Sequence, residues 1–388
     1  MLKIKYLEGL RGIAALCVVF CHLTATGFLV EQNLFYSYVN NLEISFVFKH
    51  FIINWCNLLL DGNLAVWIFW VLSSYVISIL FFKKATDYDK IIVAYFSKRY
   101  FRLLIPVVFS ILLAYLLLKL GLMYNQVLAN KLGNPYETGW LQKYYKFQPS
   151  FFGAIKSGVF STFFNFESSA SYNAVLWTVQ KEFFGSLFTF AIFGIIRHNA
   201  RRYIFYFLIV IILFALNMAW LVSFVIGHVL SDYDFSNSNS KYVNFSKMIE
   251  QVIHRYSIIF FVLSVVLISF SNEVMSFLRM PDSYYKFTLS IIIVYSCLRN
   301  KIFQSIFSSK ISFWLGKISF GLYLIHLPIL CSLTSYLILV NNSLQGKIAA
   351  AAITLFVIIT GAFVFTKYID KSALVFANKT GDYFKKYS

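Results

Sequence analysis

The chain has 388 residues, of which 59% are hydrophobic, 20% aromatic and only 13% charged. Soluble domains carry roughly 45–50% apolar and about 25% charged residues, so the coat of a water-facing surface is missing and the composition defines a polytopic membrane protein. The net charge of +18, from 34 Lys and Arg against 16 Asp and Glu, lies in loops between apolar runs, which points to topology-setting cations and excludes a nucleic-acid partner.

A helix needs about 20 largely apolar residues to cross the hydrocarbon core. Ten runs serve: 10–30, 62–82, 103–122, 174–196, 203–217, 218–231, 252–270, 285–299, 312–336 and 348–367. The fifth and sixth are short and closely joined, and one long or re-entrant element is the alternative there. The first run has no small-residue cleavage site and reads as a retained span. No internal repeat is visible, which argues against a transporter built from inverted halves. Cys17, Cys21, Cys56, Cys297 and Cys331 mostly lie within apolar runs without paired spacing, as packing residues do and as a disulfide frame or metal site does not. With both termini in the cytoplasm, the inner side holds 23 Lys and Arg and the outer side 9. That bias matches the positive-inside rule. The longest outer loop is then 123–173, aromatic and with an apolar stretch near 151–164 able to fold back into the interface.

Ionisable groups inside spans are costly and functional by default. The first span carries Arg11 and His22. Eleven residues return a helix to within about 20°, so both share one face roughly 16 Å apart. Imidazole is the usual general base near neutral pH; the plain alternative is a hydrogen-bonded structural histidine. Arg99 and Arg102, before the third span, share a face at i and i+3. They serve as a positive-inside anchor or as a fork for phosphate oxygens. In the fourth span, Trp177-Thr-Val-Gln-Lys-Glu182 places a carboxylate about 8 residues, or roughly 12 Å, from the outer end. His22 has the same depth in its own span, so a His22–Glu182 pair is expected, the carboxylate fixing the tautomer and offsetting the imidazolium. Lys181 cannot face Glu182 from the adjacent position. The ninth span places His326 near mid-membrane, with Pro328 freeing a backbone carbonyl close by; a structural role for this histidine stays open.

Together these segments resemble the membrane-bound acyltransferase 3 family, bacterial proteins that O-acylate carbohydrates and some other acceptors. The likeness rests on Leu7-Glu-Gly-Leu-Arg11-Gly-Ile-Ala-Ala-Leu, the Arg11 to His22 spacing, Phe69-Trp-Val-Leu-Ser73-Ser-Tyr-Val-Ile, Arg99-Tyr-Phe-Arg102, Trp177 to Glu182, and Ile318-Ser-Phe-Gly-Leu-Tyr-Leu-Ile-His326-Leu-Pro328. It runs from Tyr6 to about Ala362. Ser74 stands where the family usually has glycine, Trp67 where an acidic residue is common, and Gln180-Lys181 in place of a hydrophobic–acidic pair.

The resemblance implies an all-α bundle of about ten transmembrane helices in the bacterial inner membrane, residues 1–370, with a short cytoplasmic tail, 371–388. About 20 residues follow the tenth span, so the additional extracytoplasmic hydrolase-like domain of some members is not expected. It implies an O-acyltransferase, O-acetyl above all, with acetyl-CoA or another acyl-CoA as donor and no metal. The acceptor is a surface glycan or its lipid-linked precursor. Arg11, Arg99 and Arg102 are then the donor's phosphate contacts, His22 the general base with Glu182 orienting it, and Trp177 and His326 the substrate contacts. The rival class is a glycan or solute transporter using buried His and Glu as a proton relay. A third possibility, a noncatalytic assembly partner, runs against the intact His22 and Glu182.

Overall fold

The computed structural model describes residues 4–387, except 84–87, 134–138, 197–198, 200, 280 and, between 236 and 270, all but Ile259, Val262 and Leu267. Every regular element among them is helical. In chain order, α1 (Lys5–Thr24) is followed by two short helices, α2 (Leu29–Asn41) and α3 (Phe46–Leu59). Next come α4 (Gly62–Lys83), α5 (Tyr88–Lys119) and α6 (Asn125–Leu132). Then α7 (Phe151–Phe164) leads to α8 (Trp177–Ile196), α9 (Arg202–Ala215) and α10 (Ala219–Phe235). The last third holds α11 (Ser271–Leu278), α12 (Asp282–Arg299), α13 (Lys301–Phe307), α14 (Lys310–Val340), α15 (Leu344–Phe365) and α16 (Lys371–Tyr387).

Six of the expected spans are long and apolar enough to cross a membrane: α1, α4, α5, α8, α14, and α15 with its continuation. The runs expected at 203–217, 218–231 and 285–299 are the helices α9, α10 and α12, which fall short in length or apolarity. The run at 252–270 lies almost wholly outside the described residues. The two most apolar spans are the least buried. In the most apolar 18-residue stretch of α15 with its continuation only 28% of the residues are buried, and in that of α5 33%, whereas the figure for the less apolar α4 is 72%. Exposed Phe207, Ile195 and Phe356 would mark an aggregating surface in water. In a bilayer they face lipid, while buried polar side chains collect on α4, α8, α10 and α14, among them Ser74, Thr189, His228 and His326. This is a multi-pass membrane protein.

The segment 123–173, expected as an outer loop with an apolar stretch able to fold back, does fold back. Its apolar stretch is α7, which runs down the side of α5: Gly158 seats against Val108, and the Tyr100 hydroxyl donates to the Val159 carbonyl at 2.7 Å. The chain thus re-enters the bundle before α8 begins.

Two glycines fix how α1 meets α14. A Cβ on Gly12 would stand 2.4 Å from the Gly316 nitrogen, and one on Gly316 would stand 2.1 Å from the Glu8 carbonyl oxygen. Only glycine permits that approach, the small-residue packing by which membrane helices associate. Gly12 meets Gly316 and His22 meets His326, so the two helices run parallel. α15 packs antiparallel to α14, its Ala362 against Gly321, and both termini therefore lie at one end of the bundle.

Candidate active site

Ten residues beyond Gly12 and Gly316 stand His22 and His326. Parallel helices keep the same pace, so the glycine contact delivers one imidazole to the other. His22 Nδ1 lies 2.8 Å from His326 Nε2. The ring centroids are 5.0 Å apart and the planes 7° from parallel, the geometry of rings meeting edge to edge. Proton positions follow by elimination. The Leu322 carbonyl only accepts, so His326 Nδ1, 3.1 Å away, carries the hydrogen of that bond. A neutral His326 then has Nε2 as acceptor, and His22 Nδ1 donates to it. The unprotonated nitrogen at the end of the chain is His22 Nε2.

His22 stands in the wall of a cavity of about 680 Å³, stacked on Trp140 at 5.0 Å. The cavity opens at the end opposite the termini, among the last turn of α1 and the first turns of α4 and α12. Trp177 and Tyr144 also line it. Burial pushes the Tyr144 hydroxyl up to about 12, so it is a neutral donor there at physiological pH. At the mouth, Lys286 bridges Asp61 at 3.1 Å and Asp282 at 2.9 Å. His326 is fully buried and does not reach the cavity.

The bond that Pro328 cannot make is replaced from outside the helix. Proline has no N–H for the carbonyl four residues back, and Asn173, fully buried just before α8, donates to that Leu324 carbonyl at 2.7 Å. A π-turn, Leu330–Thr334, follows. The strand of chain between α7 and α8 is thereby tied to α14 beside His326.

The expected His22–Glu182 pair is not formed. Glu182 Oε1 meets Arg99 Nη2 at 2.5 Å and accepts from Ser73 Oγ at 3.1 Å, and Arg99 also donates to Ser73 at 3.2 Å. The reason is charge. Arg99 is always ionised, and a buried cation without a counter-ion is far more costly than a neutral histidine without one. The equal-depth estimate failed because the chain re-enters the bundle before α8, so Ala174 does not mark the membrane edge. Glu182 lines a second cavity of only about 40 Å³ with Ser319 and Phe320. These residues sit about 10 Å along α14 from His326, toward the termini.

Arg11 lines this same small cavity and reaches Glu8 at 3.8 Å. The paired arginines diverge: Arg99 turns to Glu182, while Arg102 binds Asp370 at 2.5 Å and covers the Phe320 ring. Arg99 Nε is buried and has no hydrogen-bond partner. Tyr323 borders both cavities. Its hydroxyl is held by Thr178 at 2.7 Å and the Val175 carbonyl at 3.1 Å, a partition between the two chambers. Sequence reasoning missed both the His22–His326 contact and this partition; the equal Gly-to-His spacing in the two spans is the signal that points to the first.

The bundle thus holds a large chamber bordered by His22 and, beyond Tyr323, a small one bordered by Arg11 and Glu182. The chain belongs to the acyltransferase 3 family: the family model, described as an acyltransferase domain, matches residues 4–367. No curated protein and no solved structure matches the chain.

Proposed function

We propose that this membrane acyltransferase moves an acyl group, acetyl in the simplest case, from acyl-CoA to a hydroxyl of a bacterial surface glycan or its lipid-linked precursor. The observation that carries this reading is the bond chain from the Leu322 carbonyl through His326 to His22, which leaves a lone pair on the imidazole that lines the large cavity. In the reaction, His22 Nε2 takes the proton of the acceptor hydroxyl as its oxygen bonds to the acyl carbon. The C–S bond then breaks, and the CoA thiolate leaves with the proton from His22. His326 is a positioning residue here, in the place first given to Glu182: it accepts from Nδ1 and steadies the transient imidazolium. Trp177 offers an apolar face to the acceptor.

The cation asymmetry favours a cytoplasmic location for the terminal end, in a bundle of about ten spans in the inner membrane. Acyl-CoA then approaches the small cavity with its phosphates at Arg11 and Arg102, while Arg99 Nε supplies a donor deeper in. A space of about 40 Å³ holds one or two waters, so passage of the pantetheine arm requires Tyr323 and its neighbours to move. CoA never crosses the membrane; only its thioester tip passes the partition.

Purified protein in nanodiscs, given acetyl-CoA, should release CoA without any ion gradient, and faster with acceptor present. Mass spectrometry of surface glycans from cells with and without the protein identifies the ester. Absence of CoA release, with gradient-dependent glycan or solute movement instead, would return the transporter reading.

A further inference from the structure

Lys181 is the neighbour of Glu182 on α8, yet it faces another chamber. Its ammonium lies 5.0 Å from the ring centroid of Trp177, 5.5 Å from that of Trp70 and 5.8 Å from that of Trp220. Among the described residues it forms no ion pair. A cation held only by ring faces keeps its hydrogen-bond donors for something else. The chamber around it measures about 340 Å³ and is walled by Trp67, Trp70, Trp177 and Trp220. These indoles meet at steep angles, Trp70 standing 84° to Trp177 and 62° to Trp220. Flat apolar faces therefore point in several directions around one positive charge.

The first turns of α4, α8, α10 and α12 converge on this chamber, with Asn63, Trp177, Ala219 and Asp282 among its lining. Helix starts favour negative charge. α4 and α12 already have a carboxylate, Asp61 accepting from the Leu64 nitrogen and Asp282 standing in the first turn. α8 and α10 have none, so the side of the chamber where Lys181 stands is the electropositive one. The chamber also adjoins the His22 cavity: Asn63, Val66, Trp177, Asp282 and Lys286 border both.

We infer that the tryptophan chamber around Lys181 binds a saccharide unit carrying an anionic group, a carboxylate or a phosphate, next to the unit acylated at His22. Sugar rings bring C–H faces that pack on indoles, and few polar groups then set orientation. The anion draws the ammonium off the rings and forms a charge-assisted hydrogen bond with it. The position along the acceptor rests on the acyl-transfer reading; the binding itself does not.

The test is a titration of tryptophan fluorescence of the full chain in nanodiscs, without acyl-CoA. Trigalacturonate probes the carboxylate, glucose 1-phosphate the phosphate, and maltotriose the neutral ring. A partly desolvated charged hydrogen bond corresponds to a preference of about tenfold or more, so at least one anionic probe should bind that much tighter than maltotriose. The preference should collapse in 0.5 M salt. Lys181→Gln should abolish it, and Lys181→Arg should retain most of it. Equal binding of all three probes by the unaltered chain overturns the inference, whatever the variants do. So does an anion preference that survives in Lys181→Gln. Acidic-saccharide binding without acyl transfer would leave this site standing and remove the enzymatic reading; transfer without the preference would do the reverse.

Discussion

The two chambers separated by Tyr323 solve the cost of polarity inside a membrane in different ways. Deep in the large one, neutral groups have their protons ordered by a backbone carbonyl, through His326 to His22, while its ion pairs stand at the mouth. The small one is lined by full charges, Arg11 and Glu182, the latter locked to Arg99 with Ser73 between. A neutral relay keeps one nitrogen basic and ready to change protonation state. An ion pair does the opposite, because each partner holds the other charged. On the proposed reading, proton chemistry belongs to the first chamber and the anionic donor to the second.

The sharpest way to break this division is His22→Ala. It removes the one relay nitrogen whose lone pair is left free, and base catalysis contributes about 10²–10⁴-fold. Transfer measured as CoA release with acceptor should fall by that much. The amount of folded protein should hardly change, because the site borders a cavity. Turnover within a few-fold of the unaltered chain would leave His22 as a structural group.

Next comes the ion pair. Arg99→Ala leaves the half-buried Glu182 without its counter-ion, and since removing one partner of a fully buried pair costs about 3–5 kcal/mol, that range is the upper bound here. Detergent unfolding should show a loss within that bound. The double variant Arg99→Leu with Glu182→Leu should recover most of the stability, while acyl-CoA binding stays weak. Recovery of both would reduce the pair to scaffolding. A single Arg99→Ala that is as stable as the unaltered chain would show that the charges are not buried together.

His326→Gln is milder and tests the relay from its hidden end. The amide oxygen can accept from His22 Nδ1, so the tautomer survives, but the imidazolium loses an aromatic partner able to share its proton. We expect turnover to fall about tenfold with donor affinity unchanged. Donor affinity lost in step with turnover would place His326 in substrate binding, the role first expected of it.

The six strongly apolar spans were legible because a bilayer demands about 20 apolar residues in a row. The helices α2 and α3, of 13 and 14 residues, escaped because neither is long enough to trip that rule. The functional side chains were legible one at a time, each as an ionisable group inside an apolar run. Their partners were not. Depth counted from a presumed edge put Glu182 beside His22, and the re-entrant α7 spoils that count. The information that pairs His22 with His326 lies in two glycines 304 positions apart, which become informative only when read as a close helix contact. Lys181 stayed unassigned for a related reason: its cage is assembled from α4, α8 and α10, and no local pattern announces it.

The smallest expected effect concerns the partition itself. Tyr323→Phe deletes only the hydroxyl that Thr178 and the Val175 carbonyl hold, and one such hydrogen bond contributes about 1 kcal/mol. Thr178 keeps a partner, since its own hydroxyl donates to the Val175 carbonyl at 3.0 Å, so the loss should sit at or below that figure. Stability should barely move. The ring still fills the space between the chambers, so acceptor-dependent transfer should also persist. What should change is leakage: a ring no longer tethered swings aside more readily, and water from the large cavity meets the thioester. CoA release without acceptor should therefore rise a few-fold in Tyr323→Phe and further in Tyr323→Ala, where the ring is gone. If Tyr323→Ala keeps the unaltered ratio of acceptor-dependent to acceptor-independent release, the two chambers do not communicate past Tyr323, and the acyl group takes another path.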